Sequence, residues 1–200
     1  MTQAVKAKKK EPSIAKLGII LFIITFCVAL VLGFVNSITK DQIAYQAQLE
    51  IQNAIASIYP DASETTELAV PADVDKKRIS SVYAAYGADG EFLGFAVASS
   101  PNGFGGAIDL MVGVLPDGSV KSVRVLSTNS ETPGLGTRVA EEGFITQYDN
   151  KPAPIAVIKN GEPGDSEILA ITGATISSTA VTTGVNLAVD VAAEVAAQMN

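Results

Sequence analysis

The stretch Ala170-Ile-Thr-Gly-Ala-Thr-Ile-Ser-Ser-Thr179 places hydroxyl side chains around two small residues, just before the last periodic segment of the chain. Apolar residues beyond it recur at spacings of three and four, which predicts one face of a helix, at Val181, Val185, Ala188, Ala192, Val195 and Met199. We expect Ser177, Ser178 or Thr179 to cap its start. Such a loop suits an anion, above all a phosphate, because free N–H groups and the positive end of the helix dipole meet there. An ordinary capped loop is the alternative, since no Walker or dinucleotide pattern is present.

Two segments resemble the hallmarks of the FMN-binding domain family. Ile171-Thr-Gly-Ala-Thr-Ile-Ser-Ser178 resembles the motif in which a threonine is joined to the FMN phosphate by a phosphoester bond, and the matching acceptor is Thr175. Glu131-Thr-Pro-Gly-Leu-Gly136 resembles the family's second hallmark. The resemblance covers nearly the whole chain and is strongest to the G subunits of Rnf-type electron-transport complexes. The C subunits of sodium-translocating NADH:quinone reductases are relatives.

The resemblance implies that FMN is the cofactor and that the first segment holds its phosphate. Thr175 would carry the phosphoester, while the small residues Gly173 and Ala174 would let the ligand approach the backbone. Neighbouring hydroxyls would bind the phosphate or the ribityl chain, namely those of Thr172, Ser177 and Ser178. A covalent bond would retain the cofactor in a domain outside the cytoplasm, where free FMN is scarce.

The second segment would then surround the flavin ring. Leu135 offers apolar cover, and Gly134 and Gly136 allow backbone contact with the ring. Thr132 can form a hydrogen bond with its polar edge. Glu131 would lie in the flavin pocket, and the alternative for its carboxylate is the capping of a helix or turn.

The resemblance also implies partners. The chain would carry electrons within an Rnf-type membrane complex that couples electron transfer between ferredoxin and NAD to the movement of Na⁺ or H⁺. Its partners would be the other membrane and peripheral subunits, and a flavin transferase would attach the FMN. We do not expect catalysis by this chain alone, because it has no nicotinamide fingerprint. The alternatives are a C-type component of a quinone reductase, an extracytoplasmic flavin-binding sensor or binding module, and a structural anchor in which both segments are only turns.

Composition excludes several classes of protein and site. The net charge is −7, and the acidic residues are concentrated after the apolar N-terminal segment, so we expect no nucleic-acid partner. The single cysteine, Cys27, lies inside that segment, which excludes a disulfide, a zinc–thiolate site and a cysteine-bound iron–sulfur cluster from the domain. The chain has no histidine, which excludes Ser-His-Asp and Cys-His catalytic sets.

An apolar segment near the N-terminus predicts a membrane anchor. Residues 17–36 carry no charge over twenty residues, which is enough for a helix to span a bilayer. Five lysines and one glutamate precede it, so we expect 1–16 to be a cytoplasmic basic tail and the domain to lie outside the cytoplasm, on a single-pass protein of the cell membrane. A cleaved signal peptide is the alternative. Residues 37–75 are expected to form a stem helix, ended by Pro60, and a linker.

The rest of the chain, 76–200, predicts an α+β domain with a mainly antiparallel sheet and flanking helices. Strands are predicted at 79–86, 91–99, 107–115 and 119–127, paired as two hairpins around Gly87-Ala-Asp-Gly90 and Pro116-Asp-Gly118. A short helix at 137–149, with Val139, Phe144 and Ile145 inward, and a short strand at 155–158 should follow. Residues 61–75 are expected to be loop.

Overall fold

A computed structural model describes residues 14–71 and 78–199. They fall into two compact units, which meet in the chain between Ala47 and Gln48. The predicted basic tail, 1–16, lies outside the described residues except for its last three positions. The final part of the predicted linker, from residue 72, also lies outside them.

The first helix, α1 (Ile14–Ile58), joins the predicted membrane segment and the predicted stem helix in one element. No proline interrupts it before Pro60, which follows its end. Its large apolar side chains between residues 14 and 45 are exposed. In length and composition this part of the helix can cross a membrane.

A five-stranded antiparallel sheet forms the centre of the second unit. Its order is β1 (Glu64–Leu68), β2 (Ile79–Tyr86), β3 (Phe92–Ser99), β4 (Asp109–Val114) and β5 (Val120–Ser127). The four strands predicted from periodicity are confirmed, as are the two hairpin turns. The loop predicted over 61–75 is wrong, because β1 lies within it. The sequence of β1 is mostly polar, because this strand is an exposed edge of the sheet that forms by pairing with β2.

The remaining elements close the domain around this sheet. They are two 3-10 turns (Gly136–Ala140 and Thr146–Tyr148), α2 (Glu142–Ile145), the parallel pair β6 (Ala156–Ile158) and β7 (Glu167–Leu169), and α3 (Thr175–Met199). The single helix predicted at 137–149 is thus three short turns, although Val139, Phe144 and Ile145 are buried as predicted. The architecture confirms the α+β prediction.

The sheet is covered on both faces. On one face, Val82, Val97, Val112 and Val123 stand in register across β2 to β5, and α3 packs against this row. On the other face, the end of α1 contributes Ile58, which packs against Gly113 so closely that a Cβ there would clash. Because both faces are buried, β3 and β4 read as nearly continuous apolar runs rather than as an alternation.

Tyr59 links the end of α1 to the centre of the sheet. Its hydroxyl lies 3.0 Å from the carbonyl oxygen of Phe95 and 2.9 Å from that of Val114. Its ring is buried, and the Nζ of Lys121 lies 4.5 Å from the ring centroid. Burial raises the pKa of the Tyr59 phenol, against a smaller lowering by the hydrogen bond to Val114.

Candidate functional site

The fold brings the two motifs, more than thirty residues apart in the sequence, together in the lining of one cavity. The cavity has a volume of about 220 Å³. Its walls come from the loop after β3, the turn that follows β5, and the first turn of α3. The lining residues are Phe104, Glu131, Thr132, Leu135, Gly136, Gly173, Ala174, Thr175, Ile176 and Ser177.

The loop before α3 is held by a buried serine. The Oγ of Ser178 accepts a hydrogen bond from the Ile171 backbone N–H at 3.1 Å and lies 3.0 Å from the carbonyl oxygen of Ala174, to which it donates. Gly173 turns the chain in the left-handed region, with φ 83°. The helix therefore begins at Thr175, and the prediction that Ser177, Ser178 or Thr179 caps it is wrong. The serine hydroxyl bonds back to the preceding turn from inside the helix.

Thr175 presents an unengaged hydroxyl. The residue is half-buried, and no hydrogen bond to its Oγ1 occurs among the described residues. The nearby serine hydroxyls are both committed, that of Ser178 to the loop backbone and that of Ser177 to a carboxylate oxygen of Glu131. Of the hydroxyls that line the cavity from the first turn of α3, the one on Thr175 is therefore available to react or to bind.

The second motif forms a tight turn that meets the first. The Leu135 backbone N–H donates to the carbonyl oxygen of Thr132 at 3.1 Å, and Gly134 adopts φ 71° inside this turn. Leu135 is 41% exposed, and its Cδ1 lies 3.1 Å from where a Cβ on Gly173 would stand. Any larger residue at Gly173 would press on that leucine.

Glu131 lines the cavity and connects three segments. It is 4% exposed. One carboxylate oxygen accepts a hydrogen bond from the Gly105 backbone N–H at 3.1 Å, and the other accepts one from Ser177 Oγ at 2.8 Å. A Cβ on Gly103 or Gly136 would clash with this carboxylate. Glycine at both positions therefore lets the backbone close over the buried charge.

A second cavity, of about 320 Å³, adjoins the first. Thr175 and Ile176 line both cavities, so Thr175 stands between them. The second cavity is the more polar in character; its other lining residues are Arg78, Pro101, Asn102, Thr179, Ala180 and Thr183. An anion on Thr175 could therefore meet a guanidinium, an amide and two further hydroxyls on this side.

Most of the site residues predicted from the sequence lie at the first cavity. Three do not: Thr172 and Gly134 lie outside its lining, and the Ser178 hydroxyl is committed to the backbone. Two lining residues, Phe104 and Ile176, were not among the individual residues predicted for the site. The available signals were an aromatic residue inside a glycine-rich loop, and an isoleucine that lies off the buried face of α3.

The first cavity has the features that a flavin needs. At the start of α3 it shares with the second cavity the Thr175 hydroxyl, which is unengaged within the described residues, and Glu131 and Thr132 supply polar groups. Three apolar side chains at its rim are well exposed: Phe104 at 69%, Leu135 at 41% and Ile176 at 57%. They suit a flat aromatic ligand rather than water. In the described part of the chain, no group of acidic, cysteine or histidine side chains could hold a metal ion.

Comparison with known proteins agrees with this geometry. Residues 103–190 match the model of the FMN-binding domain family, and residues 1–58 match that of the RnfG N-terminal region. The first range contains both motifs. The second contains α1.

Individual relatives cover most of the chain. The G subunit of the proton-translocating ferredoxin:NAD(+) oxidoreductase complex of Clostridium ljungdahlii is 34% identical, over 87% of this chain and 89% of the relative. The G subunit of the Na(+)-translocating complex of Acetobacterium woodii is 34% identical, over 84% of this chain and 86% of the relative. The crystal structure of the C subunit of the Na(+)-translocating NADH-quinone reductase from Parabacteroides distasonis matches 75% of this chain and 90% of its own, with a TM-score of 0.55 and 20% identity. That likeness supports the fold.

Proposed function

Because this chain belongs to the family of Rnf-type complex G subunits, which contain an FMN-binding domain, we propose that it carries FMN covalently on Thr175 and passes electrons between other subunits of such a complex. The complexes of its relatives are named for the transfer of electrons between ferredoxin and NAD(+) with translocation of protons or Na⁺. We propose the same activity for the complex that contains this chain.

The observation that carries the proposal is the position of the Thr175 hydroxyl. It is unengaged among the described residues, it lies at the start of α3, and it stands between the two cavities. In a phosphoester, a bond from Thr175 Oγ1 to phosphorus replaces one phosphorus–oxygen bond of an activated flavin donor. The leaving group departs with the hydroxyl proton, and a flavin transferase would catalyse the exchange.

The two cavities divide the cofactor between them in this proposal. The ring occupies the first cavity against Leu135, Phe104 and Ile176, and the phosphate faces the second cavity beside Thr179 and Asn102. Ligand sites usually measure roughly 300–1,000 Å³, so the first cavity alone is small for a complete flavin nucleotide, and the two together have the required size. The positive end of α3 favours the phosphate charge.

Bound FMN supplies reversible uptake and release of electrons. The residues of this chain bind and orient it: Thr175 anchors the phosphate, the glycine turns bring backbone close to it, and Thr132 faces its polar edge. No side chain is required as a catalytic acid or base. The exposed apolar rim leaves the ring accessible to redox partners in neighbouring subunits.

The proposal also includes a membrane anchor. The exposed apolar part of α1 would span the cell membrane once, with the basic tail in the cytoplasm and the FMN-binding domain outside it. The other long helix, α3, is the core helix of the domain, because more than half of its most apolar stretch is buried. Fusion of a reporter to either end of the protein in intact cells would test the orientation.

The experiment that tests the covalent site is intact mass spectrometry of the full chain, coexpressed with a flavin transferase. The wild type should gain about 438 Da, the mass of FMN less one water. Thr175→Ala should gain nothing. Thr146→Ala is the control, because Thr146 is an exposed threonine that lines neither cavity, and it should keep the added mass. Added mass on Thr175→Ala, or none on the wild type, would refute the proposal.

A further inference from the structure

We infer that Glu131 is a positioning residue that fixes the shape of the flavin pocket, and that its buried negative charge lowers the midpoint potential of the FMN bound there. The inference rests on the proposed function, since it concerns the same cavity. The family resemblance implies that Glu131 lies in the flavin pocket, but it does not imply what the carboxylate does there.

Glu131 forms hydrogen bonds to two segments that are distant from it in the sequence. Its two oxygens hold Gly105 in the loop after β3 and Ser177 in the first turn of α3, at 3.1 Å and 2.8 Å. The glutamate itself belongs to the second motif. One side chain therefore ties the three parts of the chain that line the cavity, and the rim residues Phe104 and Ile176 are direct neighbours of its two partners.

No positively charged side chain lines the first cavity within the described residues to neutralise this carboxylate. One oxygen accepts a hydrogen bond from a backbone N–H and the other from a hydroxyl. Glu131 is the only acidic or basic residue that lines the first cavity in the described part of the chain. It forms no ion pair within that part either, and its bonding partners are neutral. A carboxylate that is 4% exposed and forms no ion pair within the described residues is weakly screened by water, so it acts strongly on a ligand in the cavity.

The negative sign of this charge determines the direction in which it shifts the flavin potential. Reduction would add negative charge to a flavin held in this cavity wherever a proton did not balance the electron. A fixed negative charge beside the ring raises the free energy of that reduced form more than that of the oxidised form. The bound flavin therefore becomes harder to reduce, which makes it a stronger donor to the next centre in the chain of carriers.

The test is Glu131→Gln in the full chain, coexpressed with the flavin transferase and titrated with dithionite in the presence of redox mediators. Glutamine has nearly the same shape, its oxygen can accept from Gly105, and its amide can donate to Ser177. We expect the FMN mass to be retained, the melting temperature of the flavin-free protein to stay near that of the wild type, and the midpoint potential to become less negative. Glu142→Gln, which removes one exposed negative charge outside the cavity, should leave the potential unchanged.

A second variant tests the positioning role. Glu131→Ala removes both hydrogen bonds, so the flavin-free protein should melt at a lower temperature and the fraction that carries FMN should fall. An unchanged potential in Glu131→Gln, an equal shift in Glu142→Gln, or loss of FMN from a normally stable Glu131→Gln would each overturn the inference. Absence of FMN from the wild type would instead overturn the proposed function, and this inference with it.

Discussion

Replacement of Tyr59 by phenylalanine should destabilise the domain through a single oxygen atom. The hydroxyl lies 3.0 Å from the Phe95 carbonyl oxygen and 2.9 Å from that of Val114, in a site that is 1% exposed. Phenylalanine keeps the ring, its packing and its contact with Lys121, so the change isolates the hydrogen bonds. Loss of the donor to buried acceptors costs about 1–3 kcal/mol.

For a domain of this size, each kcal/mol lowers the melting temperature by about 2–4 °C, so Tyr59→Phe should lower it by about 2–12 °C. The assay is thermal unfolding of the full chain in detergent, followed by circular dichroism. Tyr83→Phe is the matched control, because Tyr83 also lies on the α1 side of the sheet but its hydroxyl makes no hydrogen bond within the described ranges. An equal fall in both variants, or none in Tyr59→Phe, would show that the hydroxyl does not hold the sheet to α1.

Two further predictions concern the motif loop and alkaline pH. Ser178→Ala leaves the Ile171 N–H without its acceptor and should cost about 1–3 kcal/mol in urea unfolding, with less FMN attached. Thr146→Ala, which removes an exposed hydrogen bond to the Glu142 carbonyl oxygen away from both cavities, should change the FMN yield little. Equal losses of FMN in the two variants would contradict the role of Ser178 in holding the loop. Burial raises the pKa of Tyr59 and of Tyr148 above the ordinary value of 10.0, so their neutral forms stabilise the fold below pH 10 and this contribution is lost as the pH rises further. The Tyr148→Phe protein should therefore lose stability less steeply above pH 10 than the wild type, and equal slopes in pH-dependent urea midpoints would contradict the assignment.

Local sequence patterns predict the helices and strands that are determined by residues close together in the chain. They predict the strand from Ile79 to Tyr86 to the residue, because a turn signal follows an apolar run at each point where the sheet folds back. Periodicity predicts the buried face of α3 because helical spacing repeats within a few residues. Both flavin motifs, and Thr175 as acceptor, come from short stretches that resemble a family.

Local sequence patterns do not predict contacts between segments that are distant in the chain. The strand β1 has four polar residues among five, and it exists because β2 offers its edge. Glu131 lies 46 residues from Ser177 in sequence, and no spacing rule relates them. The N-cap prediction is wrong for a similar reason, since a serine hydroxyl at a helix start can serve either the helix or the preceding loop.

Local sequence was therefore enough to propose residues for a flavin phosphate site, and to predict an α+β domain behind an apolar helix. Only the packed fold shows which of those residues face one cavity, which hydroxyl remains unengaged, and where a charge is buried beside the site. Residue chemistry and periodicity are local properties, whereas burial and the competition for hydrogen-bond partners are settled only when separate segments pack together.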